Sequence, residues 1–273
     1  MLIDTHCHLD AHEFKHDRDA VIERAGREGV AAIVIPAVAR ANFEAVRTLA
    51  HRFNGGYYAL GIHPIAVPDS AEEDLAFLEE CLDAALDDRR FLGVGEIGLD
   101  FFIPALKEPA MREKQEKFFD AQLKLAQQFQ LPVICHVRRS QDDVLKYIRR
   151  RPEIVGIAHA FNGSFQQAQQ FIAQGFVLGF GGAMTFDRAL QIRRLAIQLP
   201  LESIVVETDA PDIPPSWLGQ PGGPTPRNEP AEVAKIASEL ARLRDISKEE
   251  VVTATCQNAF RVLPRLAATP TFS

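Results

Sequence analysis

MLIDTHCHLD, residues 1–10, decides between two α/β folds. A short apolar run spans residues 1–5. His6, Cys7 and His8 then stand where an open doubly wound sheet would carry a phosphate-cradling glycine fingerprint. Side chains two apart on a strand point to the same face, so His6 and His8 can converge on one ion. Similar apolar, β-branched runs recur at 31–36, 57–62, 91–96, 131–136, 154–159, 175–180 and 203–208. Helical patterning fills the intervals 16–28, 40–53, 71–87, 108–130, 141–150, 165–174 and 187–198. Buried strands alternating with amphipathic helices predict a parallel sheet closed into a (β/α)8 TIM barrel.

The length agrees with that closure. One barrel takes roughly 250 residues, so a chain of 273 is expected to be a single domain over residues 1–273. After the last strand run comes DAPDIPPSWLGQPGGPTPRNEP, residues 209–230, too rich in Pro and Gly for a simple turn and suited to shaping a substrate entrance. Two further helices are expected near 229–244 and 247–262, the second opened by a Ser247–Glu250 capping box.

Composition narrows the class. With 47% hydrophobic and 25% charged residues the chain reads as soluble and globular. The opening residues lack the basic and apolar segments of a signal peptide, and no uninterrupted apolar run is long enough to span a bilayer, so a cytoplasmic protein without a membrane partner is expected. Cys7, Cys81, Cys135 and Cys256 have no paired spacing and read as free thiols. A net charge of -7 argues against a broad basic surface for duplex DNA. It leaves a phosphate substrate open, because bound cations would invert the charge of an acidic site.

Further metal-binding residue types fall near the C-terminal ends of other strands: Glu96 in VGEIGLD, His136 in PVICHVR, His159 in GIAHAF and Asp209 in VVETDAP. Barrel active sites are assembled at that end. Imidazoles with carboxylates suit zinc, manganese, iron or nickel better than calcium. Six protein ligands exceed what one ion with an open position would use, so two ions bridged by Glu96, from the middle strand, is the economical arrangement.

Read together, HCHLD (6–10), GIHP (61–64), GEIGLDF (95–101), PVICHVR (132–138), HAFNG (159–163), ETDAP (207–211) and RNEP (227–230) resemble the TatD-like metal-dependent deoxyribonucleases, in the family's order. The resemblance implies a two-metal barrel (Mg, Mn or Zn) acting on DNA, typically as an exonuclease on single strands. It implies His6, His8, Glu96 and Asp209 around one ion and Glu96, His136 and His159 around the other, with His63 and Arg138 beside the scissile phosphate. Two positions depart from the pattern. Asn162 stands where a small hydroxyl residue is usual, and GFGG (179–182) lacks the usual serine. Both changes bear on phosphate contacts rather than on the metal donors.

Asp209 is expected to orient the attacking water and take its proton. Arg138 can grip a phosphate in bidentate fashion or serve a surface helix. Asp4 and Asp100 are candidates to bond the ligand histidines or to brace the loops. Trp217 either stacks on a base or clamps its loop to the barrel. His12, His16 and His51 read as solvated or capping. The rival function is a related barrel hydrolase of a lactone, amide or aminoacyl ester, including D-aminoacyl-tRNA. Many such barrels bridge their metals with a modified lysine, and the nearest lysine here is Lys107. No obligate protein partner is indicated.

Overall fold

The computed structural model describes residues 1–219 and 223–267. Residues 220–222 of the loop 209–230, and 268–273 of the expected domain, lie outside the described residues. Eight parallel strands follow in chain order around one sheet: β1 (Leu2–Asp4), β2 (Val30–Pro36), β3 (Gly56–Leu60), β4 (Phe91–Asp100), β5 (Val133–Arg138), β6 (Gly156–His159), β7 (Phe176–Phe180) and β8 (Ile204–Val206). The last returns to the first. Thr5 N–H donates to Val206 O at 3.3 Å, Asp209 N–H to His6 O at 2.9 Å and His8 N–H to Ala210 O at 2.8 Å. The barrel expected from the strand–helix alternation is therefore present.

The connecting helices are α1 (Arg18–Arg27), α2 (Phe43–His51), α3 (Glu72–Ala85), α4 (Pro109–Gln128), α5 (Gln141–Ile148), α6 (Phe165–Ala173) and α7 (Leu190–Gln198). After β8 come α8 (Val233–Arg244), α9 (Lys248–Val262) and the short α10 (Pro264–Ala267). Alternation along the strands sorts the core into two. Outward-facing residues such as Ile33, Ile35, Tyr58 and Val133 pack beneath the helices. Inward-facing Ile3, Val34, Tyr57, Leu92, Ile134, Ile157, Val177 and Val205 fill the lower barrel, where Cys256, Ala259, Val262, Leu263 and Leu266 close it.

Two expectations need correction. The fourth strand does not end at Glu96 but runs on to Asp100, with a register irregularity between Gly95 and Ile97. Gly98 permits the extension: its φ is 147°, and a Cβ there would stand 2.1 Å from His136 O. At α9, Ser247 Oγ accepts the Glu250 N–H at 3.0 Å, but the Glu250 side chain does not return the bond, so the expected box is half formed. Trp217 is a clamp, its Nε1–H donating to Glu232 Oε2 at 2.6 Å. Among the described residues no helix is long and apolar enough to cross a membrane. All four cysteines are free.

Candidate metal centre

The turns after β1, β3 and β8, together with β4, β5 and β6, bring His6, His8, His63, Glu96, His136, His159 and Asp209 to the C-terminal mouth of the barrel. His6 Nε2 and His8 Nε2 lie 3.3 Å apart. Glu96 Oε2 is 3.1 Å from the first and 3.4 Å from the second, and Asp209 Oδ1 is 3.5 and 3.7 Å from them. The other oxygen of the same carboxylate faces a second group. Glu96 Oε1 is 2.7 Å from His159 Nε2 and 2.9 Å from His136 Nδ1, and those two nitrogens are 3.3 Å apart.

These spacings fit divalent cations. Nitrogen donors about 2.0 Å from a tetrahedral ion lie about 3.3 Å from one another. Two imidazole nitrogens facing each other at that distance share at most one proton, and Glu96 Oε2 has no hydrogen-bond partner although it is buried. The outer nitrogens tell which atoms carry protons. His136 Nε2 lies 3.0 Å from Asp100 Oδ2 and donates to it, leaving the Nδ1 lone pair free to face the cluster. His63 is oriented the other way: its Nδ1 accepts the Ile65 N–H at 2.9 Å. When neutral, it therefore presents Nε2–H to Glu96 Oε1 at 3.2 Å and to His136 Nδ1 at 3.1 Å. His63 thus joins the second group as a donor of a proton rather than of a lone pair.

Burial and charge set the protonation. Burial pulls His63 down to about 4, so it is neutral near pH 7. Burial and the neighbouring His159 likewise lower His6. At His8 burial pulls downward, but the Glu96 carboxylate outweighs it and raises the imidazole to about 9. Burial alone would push Glu96 up; His159, His63 and His6 hold it well below the usual carboxylate range, as an anion. Asp209, with φ of 57°, is pushed up by burial and keeps its basicity.

Several supporting residues had no role, or a different one, in the sequence reading, although Glu207 and Asn228 lie within its motifs. Glu207 is buried beside His159, its Oε1 3.8 Å from His159 Nδ1, and burial lifts it to about 8. Gly179 accommodates it, because a Cβ there would meet Glu207 Oε2 at 2.1 Å. Two glutamines on the inner face of α4 pin the loops. Gln122 Oε1 accepts Ile62 N–H at 2.6 Å just before His63, and Gln115 Oε1 accepts Asp100 N–H at 2.9 Å. Their seven-residue spacing on an apolar helix face was the available signal. Asn228 Nδ2 donates to Thr208 O at 2.8 Å and to Asp212 O at 2.9 Å, holding the turn that carries Asp209. Asp4 bonds no histidine ring. It accepts Thr208 N–H at 2.9 Å and Thr208 Oγ1–H at 2.6 Å, fastening β8 to β1, while burial raises it to about 7.

Around the cluster opens a cavity of about 910 Å³. Its rim is split by charge: Arg138 and Arg139 stand on the β4–β5 side, and Asp10, Glu13 and Asp212 near the β8–β1 seam. Arg138 is half exposed at the mouth and not packed into a surface helix.

With these donors at the barrel mouth and a carboxylate from β4 between their two groups, the chain matches the TatD related DNase family model over residues 3–264. The chain belongs to the TatD related DNase family. It is similar to the Escherichia coli K12 metal-dependent hydrolase YjjV, with 37% identity over 260 residues, 94% of this chain and 96% of that one. Human deoxyribonuclease TATDN3 is 32% identical over 271 residues, 97% of this chain and 95% of its own. The crystal structure of YjjV superposes with a TM-score of 0.88 at 35% identity, covering 96% of this chain and 98% of that one. Membership makes the TatD chain an enzyme, a metal-dependent hydrolase acting on ester bonds.

Proposed function

We propose that this chain hydrolyses phosphodiester bonds of DNA, removing nucleotides from an end of single strands, with two divalent cations at the barrel mouth. The observation that carries the reading is Glu96, whose two oxygens face two separate donor groups. In this reading His6, His8, Glu96 and Asp209 would hold one ion, and Glu96, His136 and His159 the other. Bound there, such a pair would supply a water of lowered pKa and positive charge to offset that of the reacting phosphodiester. The name of human deoxyribonuclease TATDN3 supports DNA as the substrate.

The chain's own groups do the rest. Asp209 takes the proton of the attacking water on its carboxylate, which stands at the mouth beside His6 and His8. His63, neutral and held by the Ile65 N–H, offers its Nε2–H to a phosphate oxygen entering beside Glu96. Arg138 grips the phosphate from the rim. Asp100 keeps the His136 tautomer that turns Nδ1 inward. One barrel domain in the cytoplasm completes the reading.

The test is hydrolysis of end-labelled single-stranded DNA by metal-stripped protein resupplied with Mg²⁺, Mn²⁺ or Zn²⁺, with Asp209→Ala as control. Metal-dependent shortening that the variant lacks is expected. Bound metal without cleavage of any nucleic acid would overturn the reading and direct attention to lactone, amide and aminoacyl ester substrates, D-aminoacyl-tRNA included.

A further inference from the structure

We propose that Phe102, Arg138 and Arg139 form a platform on the β4–β5 side of the mouth, on which a nucleobase next to the scissile bond stacks while Arg138 holds the scissile phosphate and Arg139 the one that flanks it. The platform rests on the nuclease reading above. Its first mark is geometric. Neighbouring residues at the end of a strand should point to opposite faces. Yet the guanidinium carbons of Arg138 and Arg139 lie 4.0 and 5.1 Å from the centroid of the same Phe102 ring. The left-handed backbone of Arg139, with φ of 55°, turns the chain so that both side chains reach it.

The platform is built before substrate arrives. Phe101 N–H donates to Arg138 O at 2.9 Å, and Ser140 Oγ–H donates to Leu99 O at 2.6 Å, stapling the two loops together. Asp100 Oδ1 accepts Phe102 N–H at 2.8 Å and Ile103 N–H at 3.1 Å. Beneath it, the Arg112 guanidinium carbon sits 3.9 Å from the Phe101 ring centroid. A rigid ring gains more from stacking than a mobile one, because less ordering is paid on binding.

Exposure and charge select the occupant. Phe102 remains 42% exposed while lining the catalytic cavity, where an apolar contact would stabilise it. Arg138 has one acid within reach, Asp100 at 3.8 Å, which already accepts from His136, and among the described residues Arg139 makes no ion pair. The pair therefore keeps donors for phosphate. A lone phosphate would need no exposed ring; a ring backed by cations suits the π-face of a base and tolerates any of the four. Asp10, Glu13 and Asp212 repel a polyanion from the opposite rim, so the strand leaves across β4 and β5 and presents its end to the cluster.

The experiment compares single-stranded oligodeoxynucleotide with an abasic phosphodiester dimer, a small diester with no base and no aromatic ring, using Mn²⁺-loaded protein. Base–aromatic stacking predicts that Phe102→Ala raises KM for the oligonucleotide roughly tenfold and lowers its kcat/KM relative to the small diester by a similar factor. Phe102→Trp should restore that ratio and Phe102→Leu should not. Quenching of a terminal aminopurine base on binding should weaken in Phe102→Ala. A ratio in Phe102→Ala equal to that of the unaltered protein, with the oligonucleotide still cleaved, would overturn the platform and leave the nuclease reading intact. Cleavage of the small diester but of no oligonucleotide by the unaltered protein would remove both.

Discussion

At the N-terminal end of the barrel the inward-facing side chains are Ile3, Val34, Leu92, Ile157 and their neighbours; at the C-terminal end they are imidazoles and carboxylates. Both sets are carried by the same strands and the turns that follow them, so chain order alone does not distinguish the ends. Desolvation does. The lower end is lined by apolar side chains and closed by α9 and α10, and its burial favours folding at about 25 cal/mol per Å² of apolar surface. The upper end buries Asp4, Glu96 and Glu207, whose burial opposes folding unless hydrogen bonds or ions meet them. One end holds the barrel shut, and the other is held open to chemistry by it.

That contrast can be broken most sharply at Glu96. Glu96→Ala should lower diester hydrolysis by roughly 10³-fold or more, at the upper end of what losing one transition-state-stabilising group costs. Bound divalent metal, measured by elemental analysis, should fall with it; full activity and full occupancy would remove the bridging role.

The opposite experiment cuts the lower core. Ile157→Ala leaves a cavity in the barrel interior and should reduce unfolding free energy by about 2–5 kcal/mol. Denaturant titration measures that loss, while the rate per folded molecule should be retained. A matching fall in rate would mean that the two ends are not separable.

A smaller effect is expected one step outside the cluster. Asp100→Asn removes the anion that orients His136 and should weaken metal affinity or activity by roughly 10–100-fold. The asparagine's amide can still accept from His136, so the variant separates charge from orientation. Unchanged metal affinity and rate would show that the carboxylate is dispensable.

The smallest effect concerns Arg227, whose guanidinium ties the chain before α8 to Asp17 at the start of α1. Hydrogen bonds from Arg227 hold Asp17 below its ordinary 3.8, at about 2. A folded-state value below the unfolded one stabilises above the unfolded value and is lost as pH falls, here from about 4 toward 2. Thermal unfolding of the unaltered protein and Asp17→Asn should differ at neutral pH and converge as the pH approaches 2. A constant difference across that window would show that the pair does not anchor that segment.

Much of this was legible in the chain. Strand positions emerged within a few residues because buried parallel strands are short, apolar and β-branched. His6, His8, His136, His159, Glu96 and Asp209 were legible because their residue types recur near strand ends. The extension of β4 past Glu96 was not, since Gly98 reads locally as a strand terminator and only its neighbour His136 explains it. Gln115 and Gln122 were hidden on a helix whose polar residues ordinarily face water.

The sequence by itself determined the barrel, its order of strands and the set of metal-binding residue types, because those follow from local periodicity and composition. Tertiary structure decided which oxygen of Glu96 faces which histidines, that His63 presents a proton and His136 a lone pair, and that two consecutive arginines meet one phenyl ring. Those outcomes depend on groups from 33 to 203 residues apart brought within a few ångströms, and hydrogen-bond direction and desolvation at that range have no counterpart in sequence spacing.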